Sequence, residues 1–536
     1  MANMLAQHEL AQMNPDQLHA LVAGLFDRVV ERDQIIEQRE CAIGEQQRAI
    51  ETHAATIQFK EAVIAKITLE LATLRRLTFG KKSEQLSHEQ QSLFDEALDG
   101  DIAAVQAELE ALAPPATQPA EQKNKPKRQP LPAELPRTEI HHEPASTVCG
   151  CGCQLKRIGE DVAEKLDYQP GTFSVERHIR GKWVCNDCET LTQAPVPAHV
   201  IDKGMPTASL LAQVLVNKYA DHLPLHRQEA IFARSGYKLS ASTLGAWVGQ
   251  CGVALQPLAD ALRDALLKQS VLHADETPVT MLIPGKGGTQ KAYLWAYAST
   301  HHADIKAVVY DFAEGRAGSH ARLFLDDWRG TLVCDDYGGY KALFKKHGMT
   351  EAGCMAHARR KFFDLHKANK SLIAEQALAQ FAALYAIEAP LQKQSAAVRL
   401  NIRQTQAKPL LDKLHEWLLA HKAKIPDGSG TMRAIDYSLK RWAALTHYLD
   451  DPLVPIDNNW VENQMRPVAL GRKNWLFAGS LRAGKRGAAI MSLIQSAKLN
   501  GHDPYAYLKD VMDRLPTQPY SKIEELLPHC WEPAKV

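Results

Sequence analysis

A hydrophobic residue recurs every seven positions near the start of the chain, and this repeat is the feature that most restricts the fold. No proline occurs from residue 16 to residue 113. The repeat comprises Val22, Val29, Ile36, Ile43, Ile50, Ile57, Ile64 and Leu71. A period of seven with polar residues between predicts a long helix that pairs with another helix as a coiled coil. We therefore expect copies of the chain to associate through this helix.

The second line of the heptad is apolar only at the two ends of the helix. Leu25, Ile67 and Leu74 occupy it there. Its middle positions are Arg32, Arg39, Gln46, His53 and Lys60. The apolar seam is thus narrow in the middle, and packing of the helix against its own chain stays an alternative to the coiled coil.

Length and composition indicate a folded, multidomain protein. The 536 residues exceed what one hydrophobic core normally holds, so three or more units are expected. Hydrophobic residues make up 45% and charged residues 23%, as in globular proteins. No apolar stretch is long enough to span a membrane, and the N-terminus lacks the pattern of a signal peptide. The sequence therefore predicts a cytoplasmic protein.

A segment rich in proline and cations separates the N-terminal region, residues 1–111, from the rest. Seven prolines lie between residues 112 and 137, which is typical of an extended linker. The segment also contains Lys123, Lys125, Lys127 and Arg128. These four side chains could touch the DNA backbone, or they could simply keep the linker solvated.

Five of the ten cysteines lie between residues 149 and 188, and this crowding indicates a metal site. Two cysteine pairs on strand-like sequence resemble a zinc ribbon, in which four thiolates replace a small core. Cys185 and Cys188 form the second pair. The first has three candidates, Cys149, Cys151 and Cys153, of which Cys149 with Cys153 has the best spacing. We expect a structural Zn²⁺ in residues 138–200; the alternative is a small strand domain with free thiols.

Residues 201–268 contain a pattern typical of a helix-turn-helix. A helix through "RQEAIFARS" is broken at Gly236, and Ser240 or Ser242 then caps a second helix. Leu244 and Trp247 would point inward. The start of this second helix would present Ser240, Ser242 and Thr243 to DNA, although an ordinary pair of helices gives the same pattern.

After residue 270 the sequence changes to short strand-like runs. "SVLHADETPVTML", "KAYLWAYAS" and "IKAVVYDF" predict three antiparallel strands, followed by a helix in "SHARLFLDDW". "GTLVCDDYGGY" predicts a fourth, parallel strand, and "TEAGCMAHARRKFFDLH" a further strand leading into a helix. This order is that of the ribonuclease H fold, here spanning residues 269–490. The whole chain is therefore predicted to be a multidomain α+β protein.

Carboxylates occupy the positions that this fold brings together. Asp275 lies in the first strand, and Asp335 ends the fourth with Asp336 beside it. A helix beginning after Asp457, a good N-cap, would carry Glu462 as a third acid, with Asn459 on the same face to hydrogen-bond Glu462 or a nearby phosphate of the DNA. Such carboxylates repel one another unless cations join them, so we expect two Mg²⁺ or Mn²⁺ ions about 3.5 to 4 Å apart.

Cations follow the predicted acids closely in the sequence. They are Arg359, Arg360, Lys361, Arg466, Arg472, Lys473, Arg482, Lys485 and Arg486. Together they predict a surface that neutralises phosphates along a DNA duplex. His273 and His357 lie beside the same motifs, and we expect packing or phosphate contact from them more than catalysis.

Several long motifs resemble one family. "HADETPV", "CDDYGGY", "AHARRKF", "DNNWVENQMRPVALGRKNWLFAGS" and "FGKKSEQLSHEQQSLFDE" are similar to motifs of the TnpC-type transposases of bacterial insertion sequences, family sixty-six. The resemblance implies a DDE transposase, a two-metal polynucleotidyl transferase with Asp275, Asp335 and Glu462 as its triad. It also implies a helical insertion at about residues 366–455, a C-terminal region at 491–536, action on double-stranded DNA at the bacterial nucleoid, and small accessory proteins of TnpA and TnpB type.

Two other functions share parts of this pattern. A ribonuclease H-like nuclease or recombinase would use the same acids to cut DNA without joining it. A non-catalytic regulator would use only the zinc segment, the helix-turn-helix and the coiled coil.

Overall fold

The computed structural model describes residues 15–79, 88–112 and 131–533, apart from short gaps at 145, 151, 170, 202–203, 284–285 and 347. Most of the predicted linker, with its four cations, and Cys151 lie outside the described residues. The chain divides into two compact units, Met1–Ile67 with Glu108–Ala120 and Thr68–Ala107 with Glu121–Val536. No described helix combines the length and the apolar character needed to cross a membrane.

The heptad region forms one helix, α1, Pro15–Phe79, of 65 residues. This confirms the helix predicted from the repeat. Five heptad side chains, Ile36, Ile43, Ile50, Ile57 and Ile64, are between 50% and 64% exposed. The side chains of Val22, Leu25, Val29 and Leu74 lie outside the described residues. The chain thus carries an apolar stripe that it leaves largely open to solvent in this part of the helix.

A second N-terminal helix, α2, is His88–Leu112. Its residues 88–107 belong to the second unit, where they pack against a later helix, α5, Ala241–Leu267. The two backbones come very close, since a Cβ at Gly249 would lie 2.3 Å from the carbonyl oxygen of Gly100. Only glycine permits this approach. The contact brings Asp101 of α2 into the interior, where it is 1% exposed.

The cysteine-rich region is a small sheet. Its strands are β1, Arg137–His142, β2, Leu155–Gln169, β3, Thr172–Cys185, and β4, Leu191–Gln193. β2 and β3 form a long antiparallel hairpin, while β1 pairs with β3 in parallel. At the turn end of the hairpin, Leu166 and Val175 are buried in the largest core. The cysteines lie at the opposite end.

Helices α3, Ala208–Tyr219, and α4, Leu225–Arg234, precede α5. The predicted turn between α4 and α5 is confirmed: Gly236 has φ +93°, and the Ser240 side chain caps α5 by accepting from the backbone N–H of Thr243. Leu244 and Trp247 are buried, as predicted.

A five-stranded sheet forms the centre of the second unit. Its strands are β5, Val271–Ile283, β6, Lys286–Ser299, β7, Val308–Ala313, β8, Thr331–Cys334, and β9, Thr350–Gly353. Their spatial order is β7-β6-β5-β8-β9. β5, β6 and β7 are antiparallel neighbours, whereas β8 and β9 run parallel to β5. The strand directions predicted from the sequence are confirmed.

Helices connect and cover this sheet. Two short ones, α6, Gly318–Leu325, and α7, Lys341–Lys346, flank β8, and α8, Met355–Asn369, follows β9 directly. The stretch predicted to be helical contains α9, Leu372–Leu391, α10, Ala396–Ile402, α11, Lys408–Lys422, α12, Gly430–Lys440, and α13, Trp442–Thr446.

The chain then returns to the sheet through α14, Asn459–Trp475, α15, Leu481–Leu499, and α16, Pro504–Arg514. α15 covers the edge strand β7. The hydroxyls of Ser492 and Ser496 accept from the N–H groups of Tyr310 and Val308 at 2.8 and 3.0 Å. Two backbone N–H groups of the edge strand are thus bonded within the same chain and are not available to pair with another strand.

Candidate active site

The register of two neighbouring strands places two acids side by side. β5 and β8 are parallel, and His273 is the partner of Val333. Two residues further along each strand direction stand Asp275 and Asp335. Neighbouring strands lie about 4.8 Å apart, so Asp275 and Asp335 occupy neighbouring positions near the end of β8.

Asn458 fixes the helix that brings the third acid. Its side-chain N–H donates to the carbonyl of Ala274 at 2.9 Å, and its Oδ1 accepts from Nδ1 of His273 at 2.7 Å. Its own carbonyl accepts from the backbone N–H of Glu462 at 3.3 Å. One buried amide therefore joins the strand of Asp275 to the first turn of α14, where Glu462 lies. The sequence alone does not indicate this role of Asn458, because its partner His273 lies 185 residues away.

Electrostatics link the same three acids. Burial raises the pKa of Asp275 to about 8, and the charges of Glu276, Glu462 and Asp335 add to this rise. A carboxylate in this position is costly in its charged form unless a cation lies beside it. The donor set consists of hard oxygen atoms, which suits Mg²⁺ or Mn²⁺.

Asp336 has different surroundings from Asp335. It forms an ion pair with Arg441, which is 5% exposed, and another with Lys341 at 3.0 Å. Both cations also contact Glu351, at 2.6 and 2.9 Å. Asp335 instead accepts from the backbone N–H of Tyr337 at 2.9 Å. Asp336 is therefore part of an ion-pair network with Arg441, Lys341 and Glu351.

Glu276 follows Asp275 in the strand, and its side chain is almost fully buried. It accepts from Nε of Arg316 and from the hydroxyl of Tyr340, both at 2.8 Å. Successive strand residues point to opposite faces of a sheet. Glu276 thus serves packing behind the acid cluster.

The start of α8 faces Glu462. Nδ1 of His357 lies 3.8 Å from Oε1 of Glu462, and Arg360 lies 3.7 Å from the other carboxylate oxygen. Cys354, His357 and Glu462 form one of three groups in the described part of the chain whose ligand atoms lie within 4.8 Å of one another. His273 is fully buried and burial lowers its pKa to about 4, so it is neutral and serves packing.

Two predicted details of α14 differ from the structure. Asp457 is not the N-cap: Asn458 occupies that position, and Asp457 accepts from the backbone N–H of Asn459 at 3.1 Å. The Asn459 side chain is exposed and donates to Asp457 at 2.8 Å, not to Glu462. The buried asparagine is the preceding one, because only Asn458 reaches β5.

Most of the predicted DNA-binding cations lie on the surface. Arg359, Arg360, Lys361, Arg466, Lys473 and Lys485 are exposed, and Arg472 and Arg482 are half-buried. Arg472 donates to the carbonyl of Pro278 at 3.0 Å. The burial of Arg486 argues against its predicted DNA contact, since it is 8% exposed and donates to Asp101 at 2.9 Å. Asp101 also accepts from Ser480.

At the predicted recognition helix, two of the three hydroxyls contact each other. Ser240 and Thr243 share a hydrogen bond of 2.8 Å, in addition to the cap. Ser242 is exposed. The start of α5 is therefore accessible, with Ser240 engaged in holding the helix end.

The cysteines gather around Cys185. Cys149, Cys185 and Cys188 form one candidate metal group, and Cys153, Cys185 and Asp187 another. The thiols of Cys149 and Cys188 lie 3.2 Å apart. Hydrogen bonds from Thr190, first, and from Cys149 lower the pKa of Cys188 to about 6, which favours the thiolate that a metal needs. The fold thus brings four thiols to one end of the hairpin.

Models of four IS66 transposase domains match the chain. "Transposase IS66 family" matches residues 203–486, more than half of the chain, and "IS66 C-terminal element" matches residues 492–529. "Zinc-finger binding domain of transposase IS66" matches residues 146–189, and "Transposase C of IS166 homeodomain" matches residues 66–140.

Full-length relatives agree with these matches. The chain is 37% identical over 493 residues to the uncharacterized protein y4jD of Sinorhizobium fredii (strain NBRC 101917 / NGR234), which covers 88% of this chain and 96% of the relative. It is 35% identical over 495 residues to y4hP of the same strain, covering 88% and 89%. The resemblance drawn from the motifs is confirmed: the chain belongs to the IS66 family of insertion-sequence transposases.

Proposed function

We propose that the chain is a ribonuclease H-like DDE enzyme in which Asp275, Asp335 and Glu462 hold divalent cations. The observation that supports this proposal is the register of β5 and β8, in which Asp275 and Asp335 each follow the paired residues His273 and Val333 by two positions. The sheet order β7-β6-β5-β8-β9, with three antiparallel strands followed by two parallel ones, supports the fold assignment.

The three acids would bind the cations from different elements of the fold. Asp275 and Asp335 come from adjacent strands, and Glu462 approaches from α14 under the control of Asn458. Bound Mg²⁺ or Mn²⁺ ions would activate a water for attack on a phosphodiester and stabilise the leaving 3′ oxygen. The freed 3′-hydroxyl would then attack a phosphodiester of the target DNA at the same acids, forming a new phosphodiester as the 3′ oxygen of the target strand leaves. No side chain serves as nucleophile.

Cations beside the acids support a DNA path. Arg359, Arg360 and Lys361 are exposed on α8, whose first turn faces Glu462. Lys473 and Lys485 are exposed on α14 and α15. Such side chains neutralise phosphates and release counterions, which makes binding depend on salt. We assign element ends and target duplex to this surface, with Ser242 and the start of α5 as a second contact.

We further propose that Zn²⁺ is held by Cys185 and Cys188 with two cysteines of the first pair. The described thiols favour Cys149 and Cys153, because each lies in a group with Cys185. The family match over residues 146–189 supports a zinc-binding region at 138–200. The Cys185→Ser variant should lose its zinc, and protease should then cleave the end of the hairpin. The Cys530→Ser variant changes an exposed cysteine outside the group, so it should keep its zinc and its resistance to protease.

The exposed heptad stripe supports association of two or more copies through α1. Replacement of Ile43 and Ile50 by Asn should reduce the mass measured by light scattering to that of one chain. An unchanged oligomer would place the interface elsewhere.

The remaining domain boundaries are also proposals. They are 1–111, 112–137, 201–268, 269–490 with an insertion at 366–455, and 491–536.

The doubled acid allows a sharp test of the catalytic assignment. We would join a pre-cleaved element end to plasmid DNA with the wild type, Asp335→Asn and Asp336→Asn. Asp335→Asn should abolish joining, whereas Asp336→Asn should retain it with reduced thermal stability. Loss of joining only in Asp336→Asn would overturn the assignment. Cutting without joining by the wild type would favour a nuclease.

A further inference from the structure

We propose that His357 is a nitrogen ligand of the divalent cation bound by Glu462. This inference rests on the proposed catalytic site and adds a ligand to its three acids. It makes the site a mixed one of oxygen and nitrogen atoms, with chemistry different from that of carboxylates alone.

The first support is a pair of atoms that face each other without a hydrogen bond. Nδ1 of His357 and Oε1 of Glu462 are both buried, and neither hydrogen-bonds to any other described residue. They lie 3.8 Å apart, beyond the range of a hydrogen bond. Buried polar atoms are normally paired, and one ligand placed between these two would pair both.

The two atoms are close enough for one metal ion to reach both. Two ligand atoms that each lie about 2.1 Å from one cation are at most about 4.2 Å apart. The observed 3.8 Å lies below that limit. A direct ion pair between a charged imidazole and the carboxylate would be expected to close to a hydrogen bond of about 2.8 Å.

The fold holds both side chains in this arrangement. The backbone N–H of Met355, at the start of α8, donates to the carbonyl of Ile456 at 3.1 Å. The thiol of Cys354 accepts from the backbone N–H of Asn458 at 3.2 Å. The beginnings of α8 and α14 are therefore joined by two hydrogen bonds, close in sequence to His357 and Glu462.

Cys354 completes the group of three atoms but is not assigned as a ligand. Its sulfur is buried and already accepts the Asn458 N–H. Thiolates select softer metals than an acid cluster does. Imidazole, by contrast, binds transition-metal cations well, so the site should favour Mn²⁺ over Mg²⁺, which takes oxygen ligands.

Pulsed electron paramagnetic resonance of the zinc-replete full chain with Mn²⁺ tests the inference directly, because a coordinated imidazole gives a ¹⁴N coupling. The wild type should show this coupling. His357→Gln should lose it, and its Mn²⁺ affinity should fall at least about tenfold, the loss found on removing even outer partners of metal ligands. His366→Gln, the same change on the last turn of α8, should keep both properties.

The outcomes separate this inference from the proposed function. Mn²⁺ bound in the wild type without a ¹⁴N coupling, or a coupling that survives in His357→Gln, would overturn the role of His357 alone. Mn²⁺ binding that persists undiminished in Glu462→Gln, or fails in the wild type, would overturn the acid site itself. His357→Asn provides the same comparison if the glutamine variant does not fold.

Discussion

Two neighbouring regions bury polar groups in opposite ways. In the helical segment, Arg403 is fully buried and its guanidinium is fully paired: Glu388 accepts from it at 2.8 and 2.9 Å, and the carbonyls of Tyr448, Asp451 and Val454 accept at 2.8 to 3.1 Å. At the acid cluster, His357 and Glu462 leave buried atoms without a hydrogen bond among the described residues.

The difference separates stability from function. A buried ion pair with every donor satisfied is complete without a ligand, and losing one partner is costly. A site with facing but unpaired atoms is completed by a ligand, so its residues contribute little to the stability of the free chain. Substitutions in the two regions should therefore have opposite effects on folding and on activity.

Glu388→Gln should have the largest effect on stability. It leaves the charge of Arg403 buried without its counter-charge, which costs about 3–5 kcal/mol. Urea denaturation followed by the fluorescence of Trp417 and Trp442 measures this cost. Glu416→Gln, an exposed control on α11, should be neutral. Equal stability of both variants would mean that the ion pair between Glu388 and Arg403 does not stabilise the fold.

Asp101→Asn should have a smaller effect of the same sign. Arg486 loses its charged partner, but the amide oxygen still accepts one hydrogen bond, so we expect a loss of about 2–3 kcal/mol. The midpoint of thermal unfolding measures it. Asp260→Asn is the control, since Asp260 is exposed on the helix against which α2 packs. A normal midpoint for Asp101→Asn would mean that the burial of Arg486 is not maintained in solution.

Asp275→Asn should differ from both. Burial and the neighbouring acids already disfavour the charged form of Asp275, so without added divalent cation the variant should be as stable as the wild type within about 1 kcal/mol, or more stable. Calorimetry with and without Mn²⁺ tests this. Only the wild type should gain stability from the cation. Strong destabilisation of the variant would assign Asp275 to the structural group.

The pH dependence of stability gives the smallest effect. Burial, aided by the charges of Arg399 and Arg403, lowers the pKa of His301 to about 4, and burial with the charge of His301 lowers that of His302 to about 3. Both stay neutral in the folded state while the unfolded chain takes up protons below about pH 6.5. Stability should thus fall from pH 6.5 toward pH 4. His302→Gln should flatten this fall in thermal unfolding, whereas His447→Gln should not.

The sequence predicted the sheet and its acids because their signals are local. The strands carry alternating or continuous apolar runs, and Asp335 follows a buried strand directly. Contacts between distant residues could not be predicted. Arg486 and Asp101 lie 385 residues apart, Arg441 and Asp336 lie 105 apart, and His273 and Asn458 lie 185 apart.

Those distant contacts bear on three of the predictions. The sequence predicted that Arg486 binds phosphate, because it lies among other cations. In the structure it is buried in an ion pair with Asp101 of α2. The sequence does not distinguish Asp335 from Asp336, but in the structure Arg441 and Lys341 form ion pairs with Asp336. The amide that holds Glu462 in place is Asn458, because the start of the helix lies against β5 and not in solvent.

We propose that Glu462 completes one catalytic metal site with Asp275 and Asp335. The most direct measurement is the joining of a pre-cleaved element end to plasmid DNA in Mg²⁺ or Mn²⁺ by the wild type, Glu462→Gln and the exposed control Glu416→Gln. We predict joining by the wild type and the control, and a loss of more than about a hundredfold in Glu462→Gln. Joining by Glu462→Gln at the wild-type rate would mean that Glu462 is not part of the catalytic site.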